Sequence, residues 1–262
     1  MKQKYPIKIQ EIRAKTVLSK SRIPNIDYSL NPYVGCEFAC RYCYADFMRK
    51  YTNHKEKWGE FVDLKMNVAK CLKTELKRNK PGKISISLVT DPYQPVEKQY
   101  RLTRQCLEVL LDYDPSYSIS ILTRSPLVLR DTDLLEQFHN IEVGLSIATD
   151  DENIRTIFEP RAYSISSRIE TLMRIKSLGI NTFAFVGPSL PMNPENLAQL
   201  LVDKVDYIIL DKMNYSWKTK NLYRKHGLDY ALEENYFNTI GKTFDAVFAG
   251  KSISIIKTGK NN

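Results

Sequence analysis

The chain has 262 residues, 43% of them hydrophobic and 26% charged, with 39 Lys plus Arg against 30 Asp plus Glu. That length suits one large domain or two small ones, and the composition is that of a folded globular protein rather than a disordered or fibrous one. No run approaches the ~20 apolar residues that span a bilayer, and residues 1–6 lack the apolar stretch of a signal peptide, so no membrane partner and a cytoplasmic location are expected. The net charge of +9 fits a polyanion partner such as nucleic acid. The cations are scattered, however, and the densest run, Lys70-Cys-Leu-Lys-Thr-Glu-Leu-Lys-Arg-Asn-Lys80, reads as the wet face of a helix.

Residues 1–30 read as a basic, irregular lead-in, and residues 31–262 as a single domain, since no low-complexity linker or repeat divides them. Asn67 is placed to cap a helix whose stripe is Val68, Cys71, Leu72 and Leu76. A β-rich run at 83–89 follows, then a helix opened by Thr103 and carrying Cys106, Leu107, Leu110 and Leu111. Next come a strand at 118–123, a short helix capped by Thr132, a strand at 141–147 and a helix over about 166–178. Gly179 stands where a C-cap glycine belongs. A strand at 181–186, a helix from about Pro194 and a strand at 207–210 complete the alternation. The tail, about 216–262, adds helical segments and a strand at 252–256. Strands alternating with helices of this length imply βαβ units and a parallel sheet. About six units are present, fewer than the eight of a closed barrel. Cys71 and Cys106 fall on apolar stripes and read as core residues.

One stretch stands apart: Asn-Pro-Tyr-Val-Gly-Cys-Glu-Phe-Ala-Cys-Arg-Tyr-Cys-Tyr at 31–44. Cys36, Cys40 and Cys43 form a Cys-x3-Cys-x2-Cys triplet, able to hold three irons of a [4Fe–4S] cluster. Such clusters normally take four Cys, so one iron is left for another ligand, as reactive metal sites leave a position open. A structural zinc site would need a fourth ligand, for which His54 is nearest, but zinc motifs usually read as two pairs. A disulfide framework is disfavoured by the odd count of five Cys.

In parallel α/β sheets ligands sit at the carboxyl ends of strands. Four such ends are polar here: Thr90-Asp-Pro-Tyr-Gln-Pro-Val-Glu97, Thr123-Arg-Ser125, Ser146 with Thr149, and Gly187-Pro-Ser189. Glu159-Pro-Arg-Ala162 adds Arg161, a guanidinium able to clamp a carboxylate by two parallel bonds, with Glu159 to orient it.

Together these strings resemble the radical S-adenosylmethionine (SAM) superfamily, and within it the spore photoproduct lyase-like branch. The matching pieces lie at 31–44, 90–97, 121–125, 145–149 and 159–162, and the resemblance covers about residues 28–215. It implies a partial (β/α)6 TIM-like barrel with a helical C-terminal extension, a [4Fe–4S] cluster on Cys36, Cys40 and Cys43, and SAM as cosubstrate. In that superfamily the open iron binds SAM, and one electron splits it into methionine and a 5′-deoxyadenosyl radical that abstracts hydrogen from the substrate. An electron donor such as a flavodoxin or ferredoxin is implied. By similarity Thr90 and Asp91 meet the SAM amino group, Ser146 bonds the ribose, and Arg124 is a basic SAM contact. Tyr42 and Tyr44 take the place of aromatic residues beside the cluster, one of which is proposed to relay hydrogen. The lyase also has a hydrogen-donating Cys just before its second polar loop. The corresponding stretch here, Ser85-Ile-Ser-Leu-Val-Thr-Asp91, has none, so the thymine-dimer reaction is not carried over. A zinc-stabilised nucleic-acid-binding protein without catalysis is the rival reading.

Overall fold

The computed structural model describes residues 7–258, so residues 1–6 of the lead-in, where the absence of a signal peptide was read, lie outside the described residues. Contacts divide the chain into two compact units. One comprises residues 1–39 and 43–143; the other comprises 40–42 and 144–262.

Among its described residues the first unit holds seven strands: β1 (Lys8–Ile12), β2 (Leu18–Lys20), β3 (Tyr28–Leu30), β4 (Tyr33–Val34), β5 (Phe61–Lys65), β6 (Lys83–Ile86) and β7 (Ser118–Thr123). β3, β6 and β7 run parallel, with β2 antiparallel on β3. Their short apolar stretches are buried on both faces, as parallel strands require, with Leu30, Ile84, Ile86 and Ile121 wholly inside. β1, β5 and β4 form a separate three-stranded sheet. The lead-in, expected to be irregular, therefore carries three strands. Their alternation is weak because β1 is a largely exposed edge strand. Four α-helices follow among the described residues of the unit: α1 (Val68–Leu76), α2 (Glu97–Tyr100), α3 (Leu102–Leu111) and α4 (Thr132–Leu135). Asn67 precedes α1 but does not cap it. Its side chain instead accepts from Ala14 N–H at 2.8 Å and donates to Ala14 C=O at 2.9 Å and to Cys71 Sγ at 3.0 Å.

The division between units falls within β8 (Ile141–Ser146). The second unit continues with β9 (Asn181–Val186), β10 (Tyr207–Asp211) and β11 (Ser254–Thr258), in the order β8-β9-β10-β11. β9, β10 and β11 are parallel. Its helices are α5 (Glu152–Phe158), α6 (Ile165–Ser177), α7 (Pro194–Leu201), α8 (Ser216–Lys225) and α9 (Glu234–Phe248). Ser164 and Asn193 cap α6 and α7 with side-chain oxygens, and Gly179 takes φ +76° after α6, as its position predicted. β6, β7, β8, β9 and β10 are the five strands named in the expected alternation, β11 lies two residues beyond the bounds expected for the tail strand, and β3 falls in the lead-in and was not expected. The fold class is therefore α/β on a parallel sheet.

Candidate iron–sulfur and SAM site

Gly35 sets the entry to the cysteine motif. Its φ is +93°, and a Cβ there would stand 2.3 Å from the Phe61 carbonyl oxygen, so both conformation and close approach call for glycine. The Gly35 carbonyl, delivered just before Cys36, accepts from Thr90 Oγ1 at 2.6 Å and Gln94 Nε2 at 3.3 Å. Within the Cys-x3-Cys interval, Glu37 N–H donates to Gln94 Oε1 at 2.9 Å, and Glu37 Oε1 accepts from Val96 N–H at 2.6 Å. Phe38 is buried beside it. The segment 90–97 is thus stitched to the cysteine loop by both backbone and side chains. Sequence reasoning had passed over Glu37 and Gln94.

Asp91 is buried, and its carboxylate accepts from Tyr93 N–H (2.9 Å), Thr123 Oγ1 (2.6 Å) and Arg124 N–H (2.8 Å). Burial pushes its pKa up, against the pull of those donors and of the Arg124 charge. Thr90 and Asp91 therefore each have partners within the chain. Glu97 closes the segment. Wholly buried, it accepts from the Tyr33 hydroxyl, from Thr103 N–H at 3.0 Å and from Arg130 Nη2 at 2.6 Å.

Cys43 lies in the first unit. Burial raises its thiol pKa, opposed by the Ala45 N–H, the Arg124 charge and the Trp58 indole. Arg124 thus acts on both Cys43 and Asp91. Tyr44 donates its hydroxyl to Leu88 C=O while its ring stays 38% exposed. One residue earlier than that carbonyl, at the carboxyl end of β6, Ser87 takes φ +68°. Its Oγ is buried and has no partner.

In the second unit, Cys40 packs against an apolar cluster containing Tyr42, Ala148, Phe158, Leu190 and Tyr223. Tyr42 donates its hydroxyl to Glu159. Glu159 also pairs with Arg168 Nη1 at 2.7 Å, both groups being sealed from solvent. Arg168 donates further to Ser146 C=O at 2.8 Å and, through Nε and Nη2, to Tyr163 C=O at 3.0 and 2.8 Å. The cysteine loop is thereby fastened to the carboxyl end of β8 through Tyr42, Glu159 and Arg168. Sequence reasoning missed Arg168, although a visible sign marked it: a guanidinium on the apolar stripe of Ile165, Ile169 and Leu172 must find a buried partner. Glu159, expected to orient Arg161, is bonded to Tyr42 and Arg168. The Ser146 Oγ is buried without a partner.

A scan against protein families matches the radical SAM superfamily over residues 30–201, a span that contains the cysteine triplet, most of the first unit and half of the second. The chain belongs to the radical SAM superfamily. Its relatives include the uncharacterized protein MJ0683 of Methanocaldococcus jannaschii, 38% identical over 88% of this chain and 84% of that one. Another is the uncharacterized protein ORF301 of Acidianus two-tailed virus, 30% identical over 83% and 77%. Among solved structures, spore photoproduct lyase complexed with dinucleoside spore photoproduct superposes with a TM-score of 0.69 at 12% identity, covering 95% of this chain and 82% of that one. SuiB of Streptococcus suis bound to S-adenosylmethionine gives 0.59 at 14% identity, covering 98% and 51%. At those identities the structures speak for the fold, the partial barrel.

Radical SAM membership implies an enzyme that uses SAM and an iron–sulfur cluster, and the residues present fit both. Among the described residues, no three His, Cys, Asp or Glu side chains converge as ligands of a single ion. A cluster asks for something else, since it spreads its thiolates over separate irons. His54, the ligand a zinc site would need, has both ring nitrogens on carboxylates: Nδ1 to Glu56 at 3.0 Å and Nε2 to Asp63 at 2.7 Å. The buried, unpartnered hydroxyls of Ser87 and Ser146 stand at strand carboxyl ends, where this architecture binds ligands. A buried polar atom without a partner calls for one. Among the described residues no helix is long and apolar enough to cross a membrane.

Proposed function

We propose that this radical SAM chain holds a [4Fe–4S] cluster on Cys36, Cys40 and Cys43 and uses it to cleave SAM reductively. The observation that carries the reading is the cysteine triplet inside a radical SAM match, braced by the 90–97 segment. The cluster supplies, when bound, the one-electron cleavage of SAM to methionine and a 5′-deoxyadenosyl radical. The protein's part is to bind, orient and keep the site dry. Ser146 offers its hydroxyl to the ribose, and Thr90, Asp91 and Arg124 shape the strand ends that face the amino acid moiety. Arg161 is assigned to the carboxylate. Of the two aromatic neighbours, Tyr42 is buried and anchors Glu159, while the partial exposure of Tyr44 supports assigning it to the substrate. A flavodoxin or ferredoxin supplies the electron.

The test is anaerobic. The protein is reconstituted with iron and sulfide, reduced with dithionite and given SAM, and 5′-deoxyadenosine is assayed by mass. Its formation establishes the reaction class; a protein that takes up zinc and no cluster would overturn it.

For the substrate, the structural neighbours point two ways, one complexed with dinucleoside spore photoproduct and one bound to a precursor peptide. Features of this chain favour nucleic acid. α8 carries Lys218, Lys220, Arg224 and Lys225 and no carboxylate. Trp217 is 67% exposed on the same solvent face as Lys220 and Arg224, its ring 5.1 Å from Tyr215. Exposed aromatic rings among cations are how single strands are held: bases stack at about 1–3 kcal/mol each and phosphates are neutralised. We expect a fluorescent single-stranded oligonucleotide to bind with an affinity that falls steeply with salt, and Trp217→Ala to weaken it about tenfold. Binding that is undetectable at low salt, or indifferent to Trp217, would turn the search to peptides and small molecules.

A further inference from the structure

The 3₁₀ helix Tyr44–Tyr51 starts at the residue after Cys43 and lies in the first unit. Runs of this conformation beyond three or four residues are uncommon, and within them side chains at i and i+3 stand one above the other, about 6 Å apart along the axis. Its inner face is Ala45 with Met48, buried and half-buried. Tyr44, Phe47 and Lys50 share the same spacing on an outer face. Tyr51 ends the helix edge-on to Phe47, with ring centres 6.4 Å apart. Tyr44, Phe47 and Tyr51 are 38%, 41% and 78% exposed. A single exposed aromatic residue needs no explanation. Three in one helix of eight residues leave an apolar patch of the kind that marks a binding surface.

The row is fixed at both ends. Tyr44 donates its hydroxyl to Leu88 C=O, two residues past β6. Arg49 Nη1 donates to the Lys55 and Glu56 carbonyls at 3.5 and 3.2 Å, which holds the following loop and its exposed Lys55 and Lys57 against the helix. Of the carboxylates in that loop, Glu56 pairs with Lys8 and His54, each at 3.0 Å, and Glu60 accepts from Lys57 N–H at 3.1 Å. Asp46 is the helix's own carboxylate, set against Arg49, Lys50, Lys55 and Lys57, so the patch is both aromatic and positive. A partner that fits it offers flat apolar faces together with negative charge, as an unpaired strand does: bases stack on exposed rings while cations neutralise phosphates. We propose that the helix is a strand-gripping row, in which Phe47 and Tyr51 stack bases of a single-stranded nucleic acid and Lys50 takes a phosphate. The inference rests on the nucleic-acid reading above and adds to it a contact that begins at the cysteine triplet, independent of α8.

The probe is fluorescein-labelled oligothymidylate, titrated into the whole reconstituted chain and followed by anisotropy. Tyr51→Ala is expected to weaken binding about tenfold, the cost of losing one stacked base. Tyr51→Leu should behave like the alanine variant, and Tyr51→Trp should bind at least as tightly as wild type, because an indole offers a larger stacking face. Lys50→Ala should reduce the slope of log K against log salt by about 0.7, one phosphate contact on a single strand. Tyr51 is largely exposed, so these variants should keep the wild-type unfolding curve. A leucine at 51 that binds as well as tyrosine overturns the stacking role. Binding that weakens with Trp217→Ala but ignores Tyr51→Ala and Phe47→Ala overturns the row and leaves the nucleic-acid reading standing. Variants that slow reduction by flavodoxin, at unchanged oligonucleotide affinity and unchanged reduction by dithionite, overturn it too and give the patch to the electron donor. Wild-type protein that binds no oligothymidylate at low salt overturns both readings.

Discussion

Arg168→Leu is expected to lower the unfolding free energy of the cluster-free chain by about 3–5 kcal/mol, the range found when one partner of a buried ion pair is removed. The magnitude follows from what is left behind. Glu159 is sealed from solvent, and without the guanidinium its charge loses a 2.7 Å ion pair. The Ser146 and Tyr163 carbonyls also lose their donors. Arg168→Lys should recover only part of the loss, because a single ammonium cannot reproduce a planar fork that serves three acceptors. Adding Glu159→Leu to Arg168→Leu should restore stability relative to the single variant, since the buried charge that lost its ion pair goes with it. The measurement is denaturant unfolding of the apo-proteins. A loss of under about 1 kcal/mol for Arg168→Leu would show that water reaches Glu159 and that the Tyr42–Glu159–Arg168 chain is not what holds the cysteine loop to β8.

The same residues show what could be read from sequence and what could not. Period and punctuation were enough for the alternation of strands and helices: the strands at 118–123 and 181–186 fall where expected, and Gly179 ends its helix. The lead-in was not legible, because β1 is an exposed edge strand whose partner, β5, lies some fifty residues away. Hydrophobic period reports burial, and an edge strand has little of it. At the site, the cysteine triplet could be found because metal chemistry fixes both residue type and spacing. The polar segment 90–97 was equally visible, but its bonding was not. A conspicuous string of Thr, Asp, Gln and Glu reads the same whether it faces a ligand or braces a neighbouring loop. Here Thr90, Gln94 and Glu97 brace and Asp91 gathers β7. Ser87 carries no sequence signal, since a left-handed φ is a property of the folded chain.

Cys40→Ala should leave a folded chain that binds no cluster and forms no 5′-deoxyadenosine. With three cysteines for four irons the triplet is already one thiolate short of the usual set, and losing another leaves two irons to be held by two residues. Cys40 is only partly buried at the edge of the cluster around Phe158 and Tyr223, so replacing its sulfur by hydrogen costs little packing, on the order of 1 kcal/mol. Loss of iron with a wild-type unfolding curve is therefore the expected pairing. Cys106→Ala should give the reverse. Cys106 is fully enclosed in α3 with its thiol pushed up by burial, the state of an inert core residue rather than a ligand; its variant should lose stability through the cavity and keep the cluster. Cys71, bonded to the Asn67 amide, should behave like Cys106. Iron and sulfide counted per chain, beside the unfolding curve, separate the two classes. A Cys40→Ala protein that still loads four irons, or a folded Cys106→Ala protein that loads none, would break the assignment of the cluster to the triplet.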